Sequence, residues 1–551
     1  MSLNKYVLSI ILLLLLGCEN RRDAAFSHAL FDSVSEDAEI EESMKMPDLK
    51  SVAQGTSLNK GWLIWDGDSR KGVNVSLPDF GKNERLDLPD RRLLPNTAIW
   101  YKRKADLMEG VLMIDSDDGA QLWVNGNRVP AIKDGTIYPV GAAEDAEIVV
   151  RVINNAMRGG LEEVINITRQ DWDAYSQAKK GVSDRRLKAK KEIRANRVTG
   201  DEDLILLHDP IWLRSQKGQY FLIFSTEEAG RAEVRMQGDG HESTLSWESE
   251  SPHFKIPMTE PQGELKYSIR LGEAWSKEYR FSYAEEKEAF SFAFWGDSQS
   301  GWDTFRELVD LMDAYGPDFT VGAGDLVGNG SDVEEYYRFM QILSRSEVIH
   351  YPVPGNHDYD GYYEDLQPRN YVKMLQLPEQ QQYVAWTQGN AAFIALDPNM
   401  FFPVSVPDTS EQYQWFMEQL ETDDWKDAEW RFITLHQPPF SQGWPGYSGD
   451  KYIEDLLIPL LEKHKIDGVL TGHTHDYERL IRNYGTQQVA FVISGGGGGG
   501  LEPEGQTPEP EMDVVIKEHH FVHIQIQGNK ATFSAINLKN EIIDEFTLKH
   551  E

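Results

Sequence analysis

Cysteine is all but missing. Cys18 is the single one in 551 residues. One cysteine cannot close an internal disulfide, and it excludes a zinc site built from thiolates. Basic residues are also scarce. Lys plus Arg number 55 against 90 Asp plus Glu, a formal net charge of −35. So negative a surface repels polyphosphate backbones, which argues against a general nucleic-acid binder and leaves no nucleic acid as a specific partner. After residue 20 no apolar run is long enough to cross a bilayer. Apolar residues are nonetheless plentiful. At 40 % of the chain, with 11 % aromatic, they can fill real cores and exclude wholesale disorder or a collagen-like chain. The length calls for roughly three or four domains.

Lys5 precedes an almost unbroken apolar run, Tyr6 to Leu16, followed by Gly17 and Cys18. The run is short for a transmembrane helix and right for a signal-peptide core. Leu15-Leu16-Gly17-Cys18 resembles a bacterial lipobox. The resemblance implies a lipoprotein signal peptide over 1–18 and an acylated Cys18. The protein would then be lipid-anchored in the cell envelope, at the outer membrane or on the extracellular or periplasmic face, without spanning the membrane. A plain signal peptide with an incidental cysteine is the other reading. Residues 19–59, with Ser35-Glu36-Asp37 and Glu39-Ile40-Glu41-Glu42, read as a polar, acidic tether.

Residues 60–168 carry short apolar runs between turn signals, such as Gly61–Trp65, Val111–Ile114, Gln121–Val124 and Ile148–Val152. Asn125-Gly126 is a hairpin signal, since both residues tolerate positive φ. The stretch Asp117 to Gly126 is similar to the galactose-binding-like jelly-roll β-sandwich. That similarity implies a glycan partner, or an architectural sandwich with no ligand. Residues 169–197 read as a helical linker with a basic cluster from Lys179 to Lys191, a solvated face or a docking face for an acidic surface or lipid headgroup. Residues 198–285 alternate again, for example in Tyr220–Phe224 and Leu265–Ile269, and suggest a second small β-sandwich, loosely similar to a fibronectin-III-like domain. There is no internal repeat.

From 286 to 551 β-type runs alternate with amphipathic helical stretches, which predicts an α/β domain. Strand after strand ends in a residue able to bind metal. The blocks are Gly296-Asp297-Ser298-Gln299, Gly324-Asp325, Gly355-Asn356-His357-Asp358, His436-Gln437, and Gly472-His473-Thr474-His475-Asp476-Tyr477-Glu478-Arg479. Asp297 to Asp325 spans 28 residues and Asp325 to Asn356 spans 31, each about one βαβ unit. The first three blocks should therefore reach the same edge of one sheet, outside the carboxyl ends of its strands. Histidines and aspartates converging there would repel or desolvate one another without cations. Oxygen and imidazole ligands suit first-row metals such as Fe, Zn or Mn. One aspartate can bridge two ions about 3.5–4 Å apart, which can activate a bridging hydroxide and screen a phosphate. Each block alone is common; all five in order are not.

Together the blocks resemble the calcineurin-like metallophosphoesterases, and Gly472 to Arg479 is especially similar to purple acid phosphatases. The resemblance implies a multidomain chain with β-sandwich modules followed by a four-layer α/β/β/α domain. It implies a dinuclear metal centre and a phosphoester substrate. Asp297 and His475 would hold the first metal, Asp325 would bridge, and Asn356, His436 and His473 would hold the second. His357 would face the phosphate and protonate the leaving oxygen. Asp358 would orient His357, or only bond within its loop. The chain departs from that pattern twice. Gly328 stands where purple acid phosphatases have the iron-binding tyrosine of colour. Gln299 stands where many metallophosphoesterases have histidine, and would ligate through its amide oxygen or only position water.

Gly495–Gly500 lacks the lysine and helix of a phosphate loop and reads as a flexible loop beside the site. Residues 360–390 and 400–412 are candidate substrate walls or a lid. His519, His520 and His523 read as structural or exposed, and 520–549 as strands closing the second sheet. The expected function is a secreted, lipid-anchored phosphatase or phosphodiesterase. The alternative is a surface glycan-binding lipoprotein whose phosphoesterase domain is auxiliary or acts on phosphorylated glycans.

Overall fold

The computed structural model describes residues 47, 49, 55–197 and 206–550, apart from short stretches such as 67–75, 283–288 and 360–366. The signal peptide, Cys18 and most of the acidic tether lie outside the described residues.

Two antiparallel sheets of four and six strands make the first module. Along Ala143–Asn154, Ile148, Val150 and Val152 point between the sheets, against Trp62, Ile99, Leu122 and Val164. Each such side chain contributes about 1.5–3 kcal/mol by leaving water. Asn125 (φ 51°) and Gly126 (φ 76°) make the tight turn between Ala120–Val124 and Asn127–Val129 that their residue types predict. The module starts earlier than residue 60, because Gly55–Ser57 pairs with Leu161–Thr168 and Leu58 is in the core. Trp62, Trp100 and Trp123 are buried, so none of the three offers the exposed ring a glycan would stack on.

The helix Arg169–Arg197 begins where the last strand stops. Thr168 Oγ1 accepts the Asp171 N–H at 3.2 Å and caps it. Trp172 and Tyr175 then pack on Val111, Met113, Ile137 and Ile167, which fixes the start of the helix to the sandwich.

The remainder is built on two large sheets facing one another. The seven-stranded sheet centres on the parallel strands Ala391–Ala395, Trp430–Thr434, Gly468–Thr471 and Gln487–Ser494. The nine-stranded sheet centres on Ala289–Trp295, Phe319–Ala323 and Ile349–Val353, also parallel. Phe292 and Phe319 from one sheet meet Phe393 of the other edge-on, at 5.3 and 5.5 Å between ring centres. Helices Trp302–Ala314, Val333–Leu343 and Arg369–Met374 cover the outside of the nine-stranded sheet, while Glu411–Gln419 and Lys451–Leu461 cover the seven-stranded one. This is the α/β/β/α arrangement.

Two further features go beyond the sequence reading. First, residue 285 does not separate two sheets. Ile211–Arg214 pairs in parallel with Ile349–Val353, and Tyr220–Ser225 and His253–Met258 extend the same sheet. The expected second sandwich is thus a five-stranded sheet packed against strands that continue the nine-stranded sheet, with Trp212 stacked on Phe281 at 4.2 Å. Alternation shows that a strand has two faces but not which strand it pairs with. Second, the C-terminal strands join the nine-stranded sheet, since His520–Gln527 pairs antiparallel with Ala289–Trp295.

The first module also touches the α/β part. Asn96 Nδ2 donates to Val404 O at 3.1 Å and to Asp450 Oδ2 at 2.7 Å. Phe402 packs on Ala98 and Ile153, with the Arg151 guanidinium 5.4 Å from its ring.

Candidate metal centre

The blocks meet at the carboxyl ends of the parallel strands. Asp297 follows Ala289–Trp295, Asp325 follows Phe319–Ala323, and Asn356 follows Ile349–Val353. His436 follows Trp430–Thr434 on the facing sheet, and His473 and His475 follow Gly468–Thr471. Asp297, Asp325 and His473 all have left-handed backbones, with φ of 63°, 50° and 75°. Such conformations cost about 1–3 kcal/mol each and persist where surrounding structure over-determines them. The preceding glycines give the ligands room. A Cβ on Gly472 would lie 2.4 Å from Asp297 Oδ2, and one on Gly355 would lie 2.2 Å from Asp325 Oδ1. The His473 segment is a run of bends rather than extended chain, so its two imidazoles are not placed by strand periodicity.

Two sets of ligand atoms lie within 4.8 Å of one another: Asp325, His436 and His473, and Asp297, Asp325 and His475. Asp325 belongs to both. His436 Nε2 is 3.2 Å from Asp325 Oδ2, 3.1 Å from Asn356 Oδ1 and 3.2 Å from His473 Nδ1. His436 Nδ1 lies 2.7 Å from Ala323 O, which places a proton there and turns Nε2 toward Asp325, Asn356 and His473. His475 repeats the logic. Its Nδ1 is 2.5 Å from Gly500 O, and its Nε2 faces Asp297 Oδ1 at 3.6 Å. Buried acceptors gathered this way fit cations, and imidazole, carboxylate and amide together fit first-row metals.

Electrostatics tell the same story. Burial would lower His436, but Asp325, Asp297 and the Ala323 carbonyl together outweigh it and push the imidazole up to about 9. A proton there does part of a cation's work. Burial would raise Asp325, but His436 and His357 hold it well below the usual carboxylate range. Burial, then the neighbouring His436, pushes His473 well below the ordinary histidine value.

His357 is part-exposed, with Nε2 4.0 Å from Asp325 Oδ2 and Nδ1 3.2 Å from the Gly328 carbonyl. The Gly328 carbonyl thus orients this imidazole. Asp358 does not take that role. Its buried carboxylate accepts the Gly355 and Leu326 N–H groups and the Tyr336 hydroxyl, at 2.8, 3.2 and 2.8 Å. It is a loop-bonding residue, the alternative left open by sequence. Gln299 reaches the centre, its amide Nε2 donating to Asp325 Oδ2 at 2.5 Å.

The glycine run is beside the centre but tightly held. Gly497 N–H donates to Gly296 O and Gly499 N–H to Asp297 O, at 2.9 and 2.8 Å. A Cβ on Gly497 would come within 2.2 Å of Gly296 O, so bare backbone is required there. Sequence reasoning missed Gln437 and Asn399. Gln437 Nε2 bonds Asn399 Oδ1 at 2.6 Å and approaches Asn356 Oδ1 at 3.4 Å, steadying that ligand. Its place directly after His436 was the available signal. Of the candidate walls, 360–366 and 379–381 lie outside the described residues, and the described part includes framework. Tyr371 and Met374 are in a helix-covered core, and Phe402 faces the first module.

The family model for calcineurin-like phosphoesterases matches residues 290–477. Purple acid phosphatase 23 of Arabidopsis thaliana is 26 % identical over 337 residues, covering 53 % of this chain and 71 % of that protein. Purple acid phosphatase 1 of Ipomoea batatas is 24 % identical over 242 residues, 40 % of this chain and 45 % of that one. Probable purple acid phosphatase 20 of Arabidopsis thaliana is 31 % identical over 132 residues, 22 % and 30 %. The chain therefore spans less than half the length of the last two. A solved purple acid phosphatase from seeds of yellow lupin (Lupinus luteus) covers 83 % of this chain and 93 % of its own, with a TM-score of 0.52 at 12 % identity, and so has the same fold.

Proposed function

We propose, from a calcineurin-like metallophosphoesterase domain over residues 290–477 that is similar to purple acid phosphatases, that this protein hydrolyses phosphoesters at a dinuclear metal centre. One observation carries the reading: two three-residue ligand sets that share Asp325. Asp297 and His475 would hold one ion, Asn356, His436 and His473 the other, and Asp325 both. When bound, such ions lower the pKa of water and screen charge on phosphoryl oxygens. The chain does the rest. Ala323 O and Gly500 O fix the tautomers of His436 and His475. The backbone N–H of His473 bonds Asp297 Oδ1 and Oδ2, at 3.1 and 3.0 Å, and holds that carboxylate in place. His357, its Nδ1 on Gly328 O, presents Nε2 to donate a proton to the departing alkoxide.

The test uses the full chain with its metals quantified. Hydrolysis of p-nitrophenyl phosphate or its bis ester should rise with metal content, vanish on chelation and return with Mn, Zn or Fe. Absence of hydrolysis of both esters at two ions per chain would sink the reading. The ratio of the two rates assigns monoester or diester preference.

Anchoring through Cys18 belongs to the same proposal, supported by Leu15-Leu16-Gly17-Cys18 and by that cysteine being the single one. In a bacterial host, Cys18→Ala should abolish labelling by radioactive palmitate and move the protein out of the membrane fraction. Unchanged labelling would remove the anchor.

A further inference from the structure

The stretch from Ser441 to Tyr447 runs over a buried acid, Glu478 of the last block. Ser441 Oγ and the Gly443 N–H donate to Glu478 Oε1 at 2.7 and 3.0 Å, and the Gln442 N–H to Oε2 at 2.7 Å. Three donors on one buried carboxylate fix the path of the loop. Gly443 is required there, because a Cβ would lie 1.6 Å from Asp476 Oδ2. The chain then delivers Trp444 and closes a turn, Tyr447 N–H to Trp444 O at 2.9 Å. Thr507 Oγ1 locks that turn by donating to Trp444 O at 3.1 Å and accepting the Gly446 N–H at 2.6 Å.

This rigid turn sets two aromatic rings against a metal-site histidine. Trp444 and Tyr447 have ring centres 5.8 and 5.4 Å from that of His473, and 5.5 Å from each other. Tyr447 is buried, with a hydroxyl lacking a hydrogen-bond partner among the described residues. Trp444 is half-buried, with its ring beside that of His473. A half-exposed indole beside a polar catalytic cleft offers a flat apolar surface at little entropic cost.

We infer that Trp444 is a specificity-determining platform for the organic part of the substrate, favouring phosphoesters of planar, ring-bearing groups, whether nucleosides or phenols. The inference rests on the hydrolase reading above and narrows it to a substrate class. A phosphate on the centre places its ester substituent within reach of a ring next to His473. Stacking rewards a flat π-face there and gives nothing to a small aliphatic alcohol.

The experiment compares wild type, Trp444→Ala and Trp444→Phe, each with metal content measured. The substrates are adenosine 5′-phosphate, p-nitrophenyl phosphate and glycerol phosphate. For Trp444→Ala, KM for a ring-bearing substrate should rise about 10-fold, the size of one lost ring stack. Its kcat and the glycerol phosphate KM should stay unchanged, and Trp444→Phe should recover most of the loss. The ring substrate whose KM moves more identifies the source, nucleoside or phenol. A KM that moves equally for all three, or for none, would overturn the inference. Calorimetric binding of the methylenephosphonate analogue of adenosine phosphate gives an independent arm, expected to weaken in the same order. If metal-loaded wild type hydrolyses none of the three and not bis-p-nitrophenyl phosphate either, the hydrolase reading fails instead; in either case of no monoester turnover, the binding arm alone decides the platform.

Discussion

Asp325→Ala should lose both metal ions and lower turnover on every phosphoester by more than about 10³-fold, beyond the loss of a single oxyanion donor. The expectation follows from position. Asp325 is the one residue common to the two ligand sets. Its Oδ2 faces His436 at 3.2 Å and its Oδ1 accepts the His357 N–H at 2.9 Å, so its two oxygens serve different neighbours. Taking it away leaves His436 and His473 without the carboxylate that opposes a cation's charge. Asp297→Ala provides the contrast, because Asp297 belongs to one set and should release one ion. Alanine is strained at φ 50°, whereas asparagine tolerates that backbone and keeps the shape, so Asp325→Asn separates lost charge from lost fold. Metal per chain by emission spectrometry, alongside a circular-dichroism melt, reads the outcome. Two ions retained in a folded Asp325→Asn would mean that the aspartate is not shared.

His357→Ala should keep both ions yet lose about 10²–10⁴-fold in turnover on alkyl phosphates, the usual range for one general acid. On p-nitrophenyl phosphate the loss should be far smaller, because nitrophenolate leaves without a proton. The asymmetry distinguishes proton donation from substrate binding, which would penalise both esters alike. The imidazole is suited to the task by its surroundings. It is part-exposed where His436 and His473 are buried, and its Nδ1 rests on a backbone carbonyl. Full retention of alkyl-ester turnover, with metals in place, would take His357 out of the reaction.

Much of the centre could be read before any coordinates. The blocks recur at one βαβ interval, and each ends an apolar run, so their convergence follows from parallel-sheet topology. Asp297, Asp325, Asn356, His436, His473 and His475 do meet. Residues whose role depends on a distant partner were not readable. Asp358 sits beside His357 in sequence, but its oxygens are taken by Tyr336, Leu326 and Gly355. Gly495–Gly500 has the composition of a mobile loop, yet its immobility comes from Gly296 and Asp297 carbonyls far back in the chain. Trp444 lies in a stretch with no periodic pattern, and its place beside His473 depends on Glu478 and Thr507.

The parallel pairing of Trp212 and Leu213 with Ile349 and His350 bears on how the protein can be divided. A fragment starting at 286 would leave the Ile349–Val353 strand with a raw edge and strip away its neighbours' aromatic filling. Open edges of that kind invite chains to zip together. A piece that keeps this pairing therefore starts near residue 206, well upstream of Asp297.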